Sequence, residues 1–471
     1  MFNLAICYEN GYGTEKNLEK SFYLYQKAVK NGNEEAMFIL ANSYKNGYGT
    51  EKNLEKAFHW YQKAAENNFT DAMSNLAICY ENGDGIEKNL EKAFYWHQKS
   101  VVNDNEEAIF NLAICYENGY GTEKNLEKSF YLYKKAVING YKEAMFNLAN
   151  SYKNGKGTER NLEKAFHWYQ KAVENGDTDA IISLANMYYK GEGTEKNFEN
   201  AFYWYQKAAE SGNTKAMFNL ANCYHNGKGT RWNLEKAFHW YQKAVENGDT
   251  DAIISLANMY YKGEGTEKNF ENAFYWYQKA AESGNTKAMF NLANCYHNGK
   301  GTRWNLEKAF HWYQKAVENG DTDAIISLAN MYYKGEGTEK NFENAFYWYQ
   351  KAAESGNTKA MFNLANCYHN GKGTRWNLEK AFHWYQKAVE NGDTGAIISL
   401  ANMYYKGKGT EKNFENAFYW YQKAAESGNT KAMFNLANCY HNGKGTRWNL
   451  EKAFYWYQKA AGNGHEGAMN I

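Results

Sequence analysis

Not one of the 471 residues is a proline, where ordinary usage of about 5% would place roughly 24 in a chain of this size. Polyproline linkers, cis-prolyl turns and proline-kinked helices are therefore excluded. No serine- and glycine-rich stretch marks a boundary between domains. An excess of charge of one sign is missing too: 54 Lys and Arg face 53 Asp and Glu, a formal charge of +1. A chain so balanced has no strong field to draw it to nucleic acid or to an anionic membrane surface. No apolar run approaches the roughly 18 residues of a membrane helix, so no membrane insertion is expected. The opening MFNLAICYEN has no basic region, long apolar core or small-residue cleavage site, and no secretory signal is read in it.

What the chain has is periodicity. Ala36, Ala72, Ala108, Ala144, Ala180, Ala216, Ala252, Ala288, Ala324, Ala360, Ala396, Ala432 and Ala468 follow one another at an unbroken interval of 36 residues. A second period of 72 overlies the first, and the segment from Ala216 to Lys287 recurs unchanged from Ala288. The following copy differs slightly, as at Gly395 and Lys408. Uniformity among such copies reflects duplication as readily as need.

Each repeat reads as two helices. The first begins after a polar cap at Asn213, carries Ala216, Leu220, Ala221 and Tyr224 at helical spacing, and stops at Gly227. The second is capped by Asn233, has Glu235 in its positive first turn, and carries Leu234, Ala237, Phe238, Tyr241, Ala244 and Val245 before Gly248. A pair of short amphipathic helices cannot bury both apolar stripes alone, so successive pairs must stack. The expected fold is all-α: an α/α solenoid of thirteen 36-residue helix-turn-helix repeats, continuous over residues 1–471.

The repeated pattern A-x-x-x-L-A-x-x-Y-x-x-G-x-G-T-x-x-N-x-x-K/N-A-F-x-W-Y-x-K-A-A resembles the Sel1-like repeat, a relative of the tetratricopeptide repeat with a longer interhelical loop. Its small, glycine and aromatic positions fall on Ala216, Leu220, Ala221, Tyr224, Gly227, Gly229, Ala237, Phe238, Trp240, Tyr241 and Ala244. The resemblance implies a right-handed superhelix that binds proteins and assembles complexes, as an adaptor or signalling scaffold. Some relatives join such arrays to kinase-like domains. A regulatory or targeting arm of a larger signalling enzyme is thus the rival reading.

The loop HNGKGTRWN, His225 to Asn233, begins again at His297, His369 and His441. It lacks the glycine and lysine order of a phosphate-binding loop, and it joins two helices rather than a strand and a helix. Its glycines read as a left-handed stop and a tight reversal. The pairs Arg231 and Trp232, Arg303 and Trp304, Arg375 and Trp376, and Arg447 and Trp448 replace residues charged elsewhere, such as Glu195 and Lys196. Tryptophan and arginine are enriched at interface hot spots, so these pairs are candidate partner contacts. Alternatively, each indole lies flat on the neighbouring loop. The other tryptophans, Trp240 and its equivalents, interchange with Leu24 and Leu132 and read as core.

The first helices carry a row of asparagines: Asn42, Asn150, Asn186, Asn222, Asn258, Asn294, Asn330, Asn366, Asn402 and Asn438. In related superhelices this helix lines the concave face, where an amide can donate to and accept from the backbone of an extended peptide. The alternative is that these amides join hydrogen bonds between helices. Ile6, Ile78 and Ile114 replace the asparagine near the N-terminus, which predicts a groove changing from apolar to polar.

Cys7, Cys79, Cys115, Cys223, Cys295, Cys367 and Cys439 share one repeat position. Stacked helices lie roughly 8–10 Å apart, beyond the about 7 Å that a disulfide spans between Cα atoms. Disulfide-bearing members of the family pair a cysteine on each helix of a repeat, and the second helix here has none. Buried free thiols and a cytoplasmic location are expected, with the endoplasmic-reticulum lumen left open should a leader precede Met1. Cys223, His225 and His239 do not converge as zinc ligands, and His59, His167, His239, His311 and His383 read as half-exposed surface. Neither a cofactor, a metal nor catalysis is expected. Met1 and Ile471 each cut through a helix, so the array reads as truncated at both ends, with uncapped ends open to self-association.

Overall fold

A computed structural model of the chain describes residues 1–101 and 105–469. Among them lie 27 helices and no strand. The chain divides into two compact units, Met1–Asn233 and Leu234–Ile471, each a succession of helix-turn-helix pairs. The all-α solenoid fold is therefore as expected. Ile471, whose position suggested a further helix cut short, falls outside the described residues.

In the second unit the local chemistry is plain in the pair Thr286–Asn298 and Leu306–Glu318. Asn285 caps the first of these, its Oδ1 accepting from Ala288 N–H at 2.9 Å. Gly299 ends it in the left-handed region, with φ of 64°. The loop is closed by Asn305, whose N–H donates to the Tyr296 carbonyl at 2.8 Å while its side chain accepts from Lys308 N–H, also at 2.8 Å. Glu307 lies in the first turn of the second helix and Lys315 in its last, both favoured by the helix dipole.

The loop's second glycine serves the contact between pairs. A Cβ on Gly301 would stand 1.9 Å from the carbonyl oxygen of Phe270, on the second helix of the preceding repeat. Only glycine permits that approach. Beside it, Phe274 meets Tyr296 edge-on at 5.2 Å, and such a pair contributes about 0.5–1.5 kcal/mol beyond its buried area. Between the helices lie Ala288, Leu292, Ala293, Ala309, Tyr313 and Ala316, all at most 2% exposed, with Trp276 and Trp312 packed half-buried against them. Alanine at the closest crossings brings the helices together, and the aromatic rings fill the remaining volume.

The first unit repeats these devices. Phe22 meets Tyr44 at 5.2 Å and Phe166 meets Tyr188 at 5.1 Å, both edge-on, and a Cβ on Gly157 would lie 1.9 Å from the Leu126 carbonyl. The last helix of this unit, Thr214–Asn226, and the first helix of the second unit, Leu234–Glu246, have the bounds that their caps and glycines predict. Tyr141 stands where Asn285 caps its helix, and the helix that follows is the shortened Ala144–Asn154, whereas Phe69 at the same repeat position precedes the full-length Thr70–Asn82.

Candidate partner-binding surface

The asparagine row is built on a buried tyrosine. In the second unit Tyr313 is 2% exposed, and its hydroxyl donates to Asn294 Oδ1 at 2.6 Å. Burial pushes the phenol up to about 12, so it keeps its proton and must donate. That fixes the amide: the oxygen turns inward to the hydroxyl, and Nδ2 turns away from it. The same 2.6 Å bond joins Tyr277 to Asn258, Tyr349 to Asn330, Tyr385 to Asn366, Tyr421 to Asn402 and Tyr457 to Asn438. In the first unit Tyr61, Tyr169 and Tyr205 bond Asn42, Asn150 and Asn186. Asn222 occupies the equivalent half-exposed place on its helix. For Asn258, Asn294, Asn330, Asn366 and Asn402, no acceptor for Nδ2 occurs among the described residues.

Hydrogen bonding between helices and availability to a partner are thus not exclusive, because each engages a different atom of the amide. The tyrosine was legible as part of the apolar stripe, but its hydroxyl's role was not. A signal for it exists within the sequence: where isoleucine replaces the asparagine, glutamate appears one turn later, as in Ile6 and Glu9, Ile78 and Glu81, and Ile114 and Glu117.

Those glutamates take over the bond. Tyr25 donates to Glu9 Oε2 at 2.5 Å and Tyr133 to Glu117 Oε2 at 2.7 Å. In the third case the tyrosine is itself replaced by His97, 1% exposed, whose Nε2 lies 3.6 Å from Glu81 Oε2. The His97 imidazole facing it holds the Glu81 carboxyl below its ordinary value. The expected apolar stretch is therefore corrected: these three repeats carry carboxylates beside their isoleucines, because a buried hydroxyl or imidazole needs an acceptor once the amide is gone.

On the first-helix face of the second unit, Ile326, Asn330, Thr358, Lys359, Phe362 and Asn363 line a cleft of about 640 Å³, closed at one end by the turn Asn391–Gly395. The cleft joins apolar side chains to amides, one ammonium and, in the turn, the Asp393 carboxylate, which accepts from Ala396 N–H at 2.9 Å. Such a surface suits a polypeptide better than a small reactive substrate.

The Arg–Trp pairs lie elsewhere, on the interhelical loops. Arg303 borders a separate shallow cleft with Lys268, Phe270, Glu271 and Thr302. Arg231, Arg375 and Arg447 are likewise exposed. Trp232, Trp304, Trp376 and Trp448 are 64, 69, 70 and 63% exposed. The expected alternative, an indole flat against the next loop, is not the observed arrangement. The N and Cβ atoms of Trp304 lie 3.3 Å from where a Gly299 Cβ would be, and the ring itself stays largely in solvent.

All seven cysteines are free, and all but Cys7 are buried. Burial pushes Cys295 up to about 12 and Cys367 to about 11, which leaves them unreactive thiols. His59, His167, His239, His311 and His383 are exposed rather than half-exposed. Among the described residues no group of three or more His, Cys, Asp and Glu is placed to hold a metal ion. No described helix is long and apolar enough to cross a membrane.

None of the curated proteins matches the chain. Solved structures do. A protective antigen present in uropathogenic Escherichia coli strains, displaying an SLR fold, is 29% identical with a TM-score of 0.81, over 96% of this chain and 97% of that one. A Sel1 repeat protein from Oxalobacter formigenes is 25% identical with a TM-score of 0.52, over 64% of this chain and 88% of that one. The family model for the Sel1 repeat matches thirteen successive segments, from 1–33 to 430–465, leaving out only 102–105 and 394 between them. With its two-helix pairs, paired loop glycines and edge-on aromatic contacts repeated throughout, this chain belongs to the Sel1 repeat family.

Proposed function

We propose that the chain is a protein-interaction scaffold whose first-helix face binds extended segments of partner proteins, with the Arg–Trp loops as a second contact. Repeats of this kind generally mediate protein–protein interaction, and the solenoid is a scaffold type of fold. One observation carries the finer reading. The hydroxyls of Tyr277, Tyr313, Tyr349, Tyr385 and Tyr421 engage the amide oxygens of Asn258, Asn294, Asn330, Asn366 and Asn402, leaving a regular series of Nδ2 donors. A peptide in extended form offers carbonyl acceptors at regular intervals, the complement of such a series. Donors fixed in advance cost little entropy to use.

Selection from a displayed library of random dodecapeptides tests this. The comparison is a variant with Asn258, Asn294, Asn330, Asn366 and Asn402 all changed to Asp, which keeps an acceptor for each tyrosine and removes each Nδ2 donor. The expected result is enrichment of binders by the native chain and loss of their binding by the variant, with helicity unchanged. Equal binding by both chains would place the contact elsewhere.

A further inference from the structure

The tandem copies in the second unit provide an internal control. In the earlier copy Lys287 Nζ donates to Asp323 Oδ2 at 2.6 Å, linking neighbouring first helices near their N-terminal ends. The later copy repeats Ile254, Asn258, Phe290 and Asn291 as Ile326, Asn330, Phe362 and Asn363, and Lys287 as Lys359, but Asp323 is replaced by Gly395. Lys359 thus loses its carboxylate and has no ion pair among the described residues. The turn changes with it. The helix after Asp321 begins at Thr322, whereas that after Asp393 begins two residues later in register, at Ala396. Asp321 is buried at 8% exposure, and Asp393 is only half-buried. This is the end of the 640 Å³ cleft that Asn330, Lys359, Phe362 and Asn363 line.

A second difference has the same sign. Glu336, which meets His297 at 3.5 Å and Lys334 at 3.4 Å, becomes Lys408 in the later copy. There Lys408 and Lys406, after burial itself, push the His369 imidazole below its ordinary value. This stretch of the later copy has therefore exchanged two carboxylates for a glycine and an ammonium. The corresponding place one 72-residue period later also has a glycine, Gly467, but there the His465 ring stacks on Phe434 at 4.3 Å and covers it.

We propose that Lys359, flanked by the amides of Asn330 and Asn363, is an anion-accepting subsite that takes a carboxylate side chain from an acidic, extended segment of a partner protein. The proposal rests on the peptide-binding reading and assigns it a charge preference. The incoming carboxylate occupies the role of Asp323 in the earlier copy. The phenyl ring of Phe362 and the side chain of Ile326 receive the apolar part of the same segment, and the Asn330 donor is held in place by Tyr349. Relief of the internal ion pair makes the lysine available without breaking a bond on binding.

Octaglutamate and octaglutamine peptides, blocked at both ends, test this by calorimetric titration at low salt against the intact chain and its G395D, K359A and D323G variants. Octaglutamate is expected to bind the native chain in a salt-sensitive way. G395D, which restores the internal pair, and K359A should each weaken it about tenfold, the scale of a partly exposed charge contact that excludes competing water. D323G, which frees Lys287, should create an equivalent site and double the stoichiometry. Octaglutamate binding that ignores all three changes overturns the proposal. Equal binding of octaglutamine overturns the charge preference while leaving peptide binding intact, and equal binding of free glutarate overturns the choice of a protein segment. Binding of neither peptide also overturns the subsite, and the library selection then decides the broader reading separately.

Discussion

A tyrosine hydroxyl buried between two helices needs an acceptor, and two solutions to that need occur in one chain. Tyr277 uses Asn258, while Lys300 reaches back to the Tyr261 hydroxyl at 2.9 Å. Tyr133 uses Glu117, and Lys156 reaches the same carboxylate at 2.9 Å. N258I alone should strand the Tyr277 hydroxyl and cost about 1–3 kcal/mol. N258I/Y261E, which reproduces Ile114 and Glu117, should recover most of that loss, as read by urea unfolding of the two variants. The asparagines themselves were legible from their spacing. Their acceptor role was not, because the donor lies 19 residues away on the other helix and looks like one more apolar position. The pairing of Ile with Glu was the available clue.

The variant pair Glu81 and His97 gives a pH prediction. The folded Glu81 carboxyl is held below its ordinary value by the His97 imidazole that faces it. A depressed carboxyl contributes stability that is present above its unfolded pKa and is lost as pH falls through the folded one. E81Q should therefore destabilise the chain near about pH 6 and cost progressively less below about pH 4. Urea midpoints of both chains across that range provide the measurement.

For the single helix-turn-helix element, the glycines separate by role. Gly320 has φ of 90°, and a Cβ added there would meet nothing within 4 Å. G320A therefore loses stability only through its backbone conformation, about 1–2 kcal/mol. Gly301 adds the 1.9 Å approach to the Phe270 carbonyl. G301A should exceed G320A clearly in its loss of stability, because backbone of the preceding repeat must shift; thermal unfolding of the two proteins compares them. Helix bounds, caps and both loop glycines were legible, since local chemistry determines them. The identity of the carbonyl that excludes a side chain at Gly301 was not, because it belongs to the preceding repeat.

Across the whole chain, the period of 36 residues announced the architecture before any helix was assigned. Which aromatic residues are structural was only partly legible. Trp276 and Trp312 pack half-buried in the core as expected, while the four loop tryptophans are 63–70% exposed. Changing Trp232, Trp304, Trp376 and Trp448 to Ala should leave helicity unchanged and move stability by no more than about 0.5 kcal/mol per site. Circular dichroism with thermal melting checks this. A large loss would mean that the rings hold loops together after all.

The central claim is that partners engage amide donors oriented by buried tyrosines. It is tested most directly by nuclear magnetic resonance of the chain carrying ¹⁵N-labelled asparagine, with and without a peptide selected by the chain. Binding should shift the side-chain NH₂ signals of Asn258, Asn294, Asn330, Asn366 and Asn402 more than those of capping asparagines such as Asn285 and Asn305. Shifts confined to the caps and loops, with those five amides unmoved, would contradict the account.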